Sequence, residues 1–138
     1  KDEYRQSEGD PHVKAKLRQI RMERGRKRMM AKVPDATVII TNPTHYAVAL
    51  LYDPAKTAAP VCVAKGVDRV ALKIREIGTE AGVPIIEDPP LARALFATVE
   101  LDEAIPAEQY QAVAKIIGIV LGLAANRRNQ RPTLSGVR

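Results

Sequence analysis

The stretch Ala36-Thr37-Val38-Ile39-Ile40-Thr41-Asn42-Pro43-Thr44-His45-Tyr46-Ala47-Val48-Ala49-Leu50-Leu51-Tyr52 decides the fold. Two runs rich in β-branched and apolar residues, Ala36 to Thr41 and Tyr46 to Tyr52, are parted by four residues that include Asn-Pro. That pattern predicts neighbouring strands joined by a tight turn. Alternation in the second run sets Tyr46, Val48, Leu50 and Tyr52 on one face and small Ala47 and Ala49 on the other.

Downstream, Val61 to Ala64 and Val83 to Glu87 predict two more strands with a helix between them. The helix is marked by Val67, Val70, Ala71, Ile74, Ile77 and Ala81 at helical spacing, by Asp68 as its cap and by Gly82 as its stop. Strand, helix and strand in that order predict a right-handed parallel crossover. Pro89 and Pro90 open a short helix through Leu91, Ala94 and Leu95, since proline suits a first helical turn. Pro106 opens the last helix, Ala107 to Leu123, with Tyr110, Val113, Ala114, Ile117, Val120 and Leu121 along one face. The sum is an α/β fold: a four-stranded mixed sheet surrounded by helices.

Upstream, His12 to Lys32 is a run of helix formers with only a thin apolar seam of Val13, Leu17 and Ile20. Such a stripe is too narrow to fill a core, so a protruding basic N-terminal linker helix is expected, started by Gly9, Asp10 and Pro11. Residues 1–34 carry a net charge of +6, residues 35–126 carry −4, and four arginines follow without an acidic residue. The expected organisation is a linker helix over 1–34, a globular domain over 35–125 and a disordered tail over 126–138.

The composition excludes several classes. The longest apolar stretch, Ile116 to Ala125, is interrupted by Gly118 and Gly122 and falls short of the roughly 20 residues of a spanning helix. Cys62 has no second cysteine to pair with and reads as a small buried hydrophobe. With two histidines far apart there is no metal-ligand spacing, and no glycine-rich phosphate loop or G-x-S-x-G elbow appears. No cofactor and no metal are expected. A chain opening on Lys1 without a leader reads as a piece of a longer protein.

What remains is Asn42-Pro43-Thr44-His45. On pattern alone it is ordinary turn chemistry. It also carries the parts for breaking its own backbone. An Asn side-chain nitrogen can attack the Asn's own backbone carbonyl, closing a succinimide and expelling the next residue's nitrogen. Pro43 has no N–H, which suppresses the competing cyclisation that leaves the chain intact. A carboxamide is a feeble nucleophile, so the turn must hold it near attack geometry, an effect that removes roughly 7 to 11 kcal/mol of barrier in good cases. Proline also disfavours helical backbone at Asn42, and tight-turn strain weakens amide resonance. The His45 imidazole can take up a proton and hand it on, so it can relay the proton, while Thr44 can orient the Asn42 amide or polarise its carbonyl.

Asn42-Pro43-Thr44-His45 with Tyr46-Ala47-Val48-Ala49-Leu50, Val63-Ala64-Lys65-Gly66-Val67-Asp68, Pro89-Pro90-Leu91-Ala92-Arg93 and Ile105-Pro106 resembles the cytoplasmic domain of the FlhB/YscU family of type III export-gate proteins. The match runs from about Lys1 to Leu123 and is nearer the flagellar branch than the injectisome branch. The resemblance implies a domain on the cytoplasmic side of the bacterial inner membrane, soluble as a fragment and joined by the linker helix to an N-terminal membrane domain. It implies one self-cleavage between Asn42 and Pro43, with Asn42 as nucleophile and new C-terminus, Pro43 as leaving group and Thr44 and His45 assisting. That is a single turnover in cis, without activity on other molecules. It implies a part in switching export from rod and hook to filament proteins, with export-apparatus components, export substrates and a hook-length control protein as partners.

Two other readings stay open at this stage. The basic first 34 residues fit a nucleic-acid module, though Tyr4 is their one aromatic and no reader motif follows; anionic membrane headgroups suit them better. A non-cleaving docking domain with an inert turn is the other. Ala59, Pro60, Leu91 and the exposed side of the last helix are candidate surfaces for export substrates.

Overall fold

The computed structural model of the chain describes residues 9–43 and 45–130, the side chains of 123–130 excepted. Its sheet is built outward from Val38–Asn42 (β1), whose Val38, Ile39, Ile40 and Thr41 are all buried. A strand buried on both faces reads as a continuous apolar run, which is why V-I-I lacks alternation. Tyr46–Leu51 (β2) pairs antiparallel with β1, Val61–Val67 (β3) pairs antiparallel with β2, and Ile85–Glu87 (β4) pairs parallel with β1. The order is β3-β2-β1-β4. The expected mixed sheet is present, and β3 and β4 run the same way at its two edges.

Asp68–Ala81 (α2) is the crossover between them. It lies against the face that carries Ile39, Ala47 and Ala49, where small side chains let a helix approach. The approach is closest at Gly78, where an added Cβ would collide with Ile39. Gly82, at φ 79°, closes the helix in the left-handed conformation. Asp68 differs from expectation: its side chain makes no cap bond, and Val67 occupies the cap position.

The other face is the main core. Val38, Ile40, Val48, Leu50 and Cys62 meet Leu91, Ala92 and Leu95 of Pro89–Thr98 (α3) and Val113, Ile117 and Val120 of Tyr110–Gln130 (α4). Asp88 caps α3 by accepting from the Leu91 N–H at 3.2 Å. A short 3₁₀ turn, Ala107–Gln109, precedes α4, and Pro106 stands at its start. The buried stripe of α4 is narrower than its apolar face, since Tyr110, Ala114 and Leu121 are exposed. Leu91 is buried, which removes it from the candidate docking surface.

The chain divides into two units, Lys1–Ala31 and Lys32–Arg138. The first holds most of the helix Pro11–Lys32 (α1), started as expected by Asp10, which accepts from the His12 N–H at 2.8 Å. Its seam residue Leu17 is exposed, as is Met22. At the other end α4 continues past Ala125 to Gln130, where the sequence had suggested a tail; residues 131–138 lie outside the described residues. Among the described residues no helix is long and apolar enough to cross a membrane.

Candidate functional site

The Asn42–His45 turn closes the β1–β2 hairpin. Asn42 is the last residue of β1 and pairs with Tyr46, the first of β2. Both strands are anchored in the core, so the turn is held from two sides by residues that cannot slide without exposing Ile40 and Val48. Within the turn the His45 N–H donates to the Asn42 carbonyl oxygen at 2.9 Å, the first-to-fourth bond of a β-turn with proline second. Asn42 and Pro43 are half-buried and His45 is exposed. Thr44 lies outside the described residues, so its expected role is not placed.

That bond has a chemical consequence. The Asn42 carbonyl belongs to the peptide unit shared with Pro43. A donor already on its oxygen withdraws electron density from the carbon and meets the negative charge that builds on oxygen during nucleophilic attack. Sequence reasoning offered Thr44 to orient the Asn42 amide or polarise its carbonyl; the described backbone places the N–H of His45 on that oxygen. The signal was available, because Asn-Pro at the first two turn positions calls for this closing bond.

A second bond was missed. The Asp68 N–H donates to the His45 carbonyl at 3.1 Å, so both backbone groups of His45 are engaged. His45, Tyr46, Val67 and Asp68 line an open cavity of about 250 Å³ beside the turn. The link between two segments so far apart in sequence follows from the β2–β3 pairing, in which Tyr46 faces Val67.

Behind the turn, Tyr46 packs on Phe96 with ring centroids 5.2 Å apart, and the Lys65 ammonium stands 5.1 Å from the Phe96 ring. Lys65 donates to the Val99 carbonyl at 2.8 Å and the Phe96 carbonyl at 3.5 Å, placing its charge at the C-terminal end of α3 where the dipole favours a cation. The Val63–Asp68 segment thus braces both α3 and the turn. Gly66 leaves no room for a side chain, since a Cβ there would strike Val70.

Away from the turn, an apolar cavity of about 360 Å³ lies between the β2–β3 connection and α4, lined by Tyr52, Ala59, Pro60, Tyr110, Ile117 and Leu121 among others. The connection is shaped by Asp53, whose carbonyl accepts from the N–H groups of Lys56 and Thr57. Among the described residues no group of His, Cys, Asp and Glu is arranged to hold a metal ion.

The FlhB HrpN YscU SpaS family matches residues 1–120. The flagellar biosynthetic protein FlhB of Escherichia coli is 52% identical over 96% of the chain and 36% of its own length. The FlhB of Bacillus subtilis is 55% identical over 87% of the chain and 33% of its own length. The chain therefore spans about a third of these curated relatives. The crystal structure of the cytoplasmic domain of FlhB from Shewanella putrefaciens superposes with a TM-score of 0.71 at 47% identity, covering 75% of this chain and 80% of that one.

Proposed function

The chain belongs to the FlhB HrpN YscU SpaS family, and from that premise we propose that it is the cytoplasmic domain of a flagellar type III export component that cuts itself between Asn42 and Pro43. The observation that carries this reading is the 2.9 Å bond from the His45 N–H to the Asn42 carbonyl, a donor resting on the oxygen of the bond to be broken.

The step balances without a cofactor. Asn42 Nδ2 attacks the Asn42 carbonyl carbon, and the carbonyl π electrons move to the oxygen held by the His45 N–H. Nδ2 gives up one proton to the His45 imidazole. Collapse of the tetrahedral intermediate breaks the bond to the Pro43 nitrogen, which takes that proton from the His45 imidazolium and leaves as a secondary amine. Asn42 is left as a C-terminal succinimide that water opens. Each molecule does this once.

Cutting here frees a turn while leaving a sheet. β1 sits between β2 and β4, both on the other side of the cut. The changed turn then serves as the signal by which export passes from rod and hook proteins to filament proteins, with a hook-length control protein and other export components reading it. The cavity lined by Tyr52, Ala59, Pro60, Tyr110, Ile117 and Leu121 is the surface on which an apolar segment of an export substrate docks. The family membership supports a place on the cytoplasmic side of the bacterial inner membrane, after an N-terminal membrane domain, with the basic helix α1 against anionic headgroups rather than nucleic acid.

Cells whose full-length protein carries Asn42→Ala test the switch: export of hook-type substrates is expected to persist and filament export to fail. Normal filament export in that strain would overturn the switching role. Ala59→Asp is expected to abolish cross-linking of export substrates to the cavity while leaving cleavage intact; undiminished cross-linking would overturn the docking assignment.

A further inference from the structure

We propose that Asp68 is a positioning residue for the Asn42–His45 turn, acting through its left-handed backbone rather than its carboxylate. The inference rests on the self-cleavage reading for its functional meaning and on geometry of its own. Asp68 has φ 48°, a value that side chains with a Cβ rarely adopt and that Asp and Asn tolerate better than others.

Its neighbours fix why. Val67 is extended, at φ −119° and ψ 157°, and pairs with Tyr46 at the end of the β2–β3 ladder. Extended Val67 aims the next amide across the ladder, onto the His45 carbonyl at 3.1 Å. Immediately afterwards the chain must leave the sheet and enter α2, which is itself fixed by Ala71 and Ile74 in the core. With strand and helix both held, the left-handed value at Asp68 absorbs the change of direction while the amide stays on His45. A residue that refuses this conformation shifts either the helix or the amide.

The amide matters because His45 is held at both ends. Its N–H is on the Asn42 carbonyl, and its own carbonyl is on the Asp68 N–H. Releasing the second bond frees the peptide unit after His45, and the rotation about the His45 Cα that follows carries the N–H away from the oxygen of the scissile unit. Asp68 thereby controls a catalytic hydrogen bond it does not make.

The test compares Asp68→Gly, Asp68→Asn and Asp68→Val by intact mass over time, with rates referred to the fraction folded measured by urea unfolding. Gly and Asn, which accept left-handed backbone, are expected to cleave within about threefold of the parent, and Val, which does not, to be slowed about tenfold or more. If Asp68→Val does not fold, Asp68→Ala takes its place with the same expected direction. A second arm uses the non-cleaving Asn42→Ala chain and reads hydrogen exchange at the His45 amide, expected to accelerate about tenfold with Asp68→Val and to be unchanged with Asp68→Gly. Parental cleavage and exchange in Asp68→Val would overturn the proposal, as would Asp68→Asn slowing cleavage as much as Val, which would make the carboxylate the active part. A parent chain that never cleaves would instead defeat the self-cleavage reading and leave the exchange arm to decide the positioning role.

Discussion

The His45 N–H lies 2.9 Å from the carbonyl oxygen of Asn42, so the residue read as the proton relay also donates, through its backbone, to the oxygen of the bond between Asn42 and Pro43. The two roles separate under mutation. His45→Ala keeps the backbone donor and loses the imidazole.

Cleavage in His45→Ala is therefore expected to be slowed by about 10²- to 10⁴-fold at pH 7, the usual worth of a positioned acid or base, and not abolished. The deficit should shrink at high pH, where hydroxide removes the amide proton without help. Rates from intact mass at pH 7 and pH 10 check this. Equal rates in variant and parent at pH 7 would remove the imidazole from the mechanism.

After cleavage the pieces of 42 and 96 residues are expected to stay together. β1 brings Val38, Ile39 and Ile40, all fully buried, into a sheet whose other strands belong to the second piece. Full burial of such a side chain is worth about 1.5–3 kcal/mol, and ladder hydrogen bonds run along both edges of β1. Native mass spectrometry of cleaved protein should give the intact mass, and denaturing conditions should give two. Separate pieces under native conditions would contradict the packing.

The contact between α2 and the sheet predicts a coupled pair. Gly78→Ala places a Cβ against Cδ1 of Ile39 and should destabilise the domain by about 1–3 kcal/mol. Ile39→Val removes that methyl, so the double variant should be more stable than the sum of the single changes implies, by about 0.5–3 kcal/mol in urea unfolding. Strict additivity would mean that the helix moves instead.

Burial pushes the Cys62 thiol up from 9.0 to about 11, against the opposing charge of Lys65. Between these values the unfolded chain loses the thiol proton and the folded chain keeps it. The folded state then binds more protons, so stability contributed by this group is full below about pH 9 and falls as pH rises to about 11, by about 2–3 kcal/mol. Cys62→Ala should lack that part of the slope. Parallel pH profiles for parent and variant would contradict the buried setting.

Much of this was legible because the strongest signals were local. V-I-I and Y-A-V-A-L-L around Asn-Pro require a hairpin whatever surrounds them, and Pro89-Pro90 and Gly82 mark helix ends by backbone chemistry alone. The resemblance added the family and the reading of the turn. What stayed hidden depends on tertiary partners. Asp68 looked like a helix cap because Asp before a periodic run usually is one; only the fixed directions of β3 and α2 turn it into a left-handed joint. Tyr110 and Leu121 share the helical spacing of Val113 and Ile117, yet they are exposed while those are buried, since nothing in a periodic pattern says where the covering layer ends. Leu91, offered as a surface residue, is buried because the α3 face that carries it turns toward Leu50 and Cys62.

The central claim is that the turn breaks its own backbone. The most direct measurement is the denatured mass of freshly purified protein beside Asn42→Ala, followed over time at several pH values. The expected result is two masses, one ending at Asn42 and one beginning at Pro43, growing in the parent and absent in Asn42→Ala. A single undiminished mass in both chains would leave a docking domain with an inert turn and contradict the account.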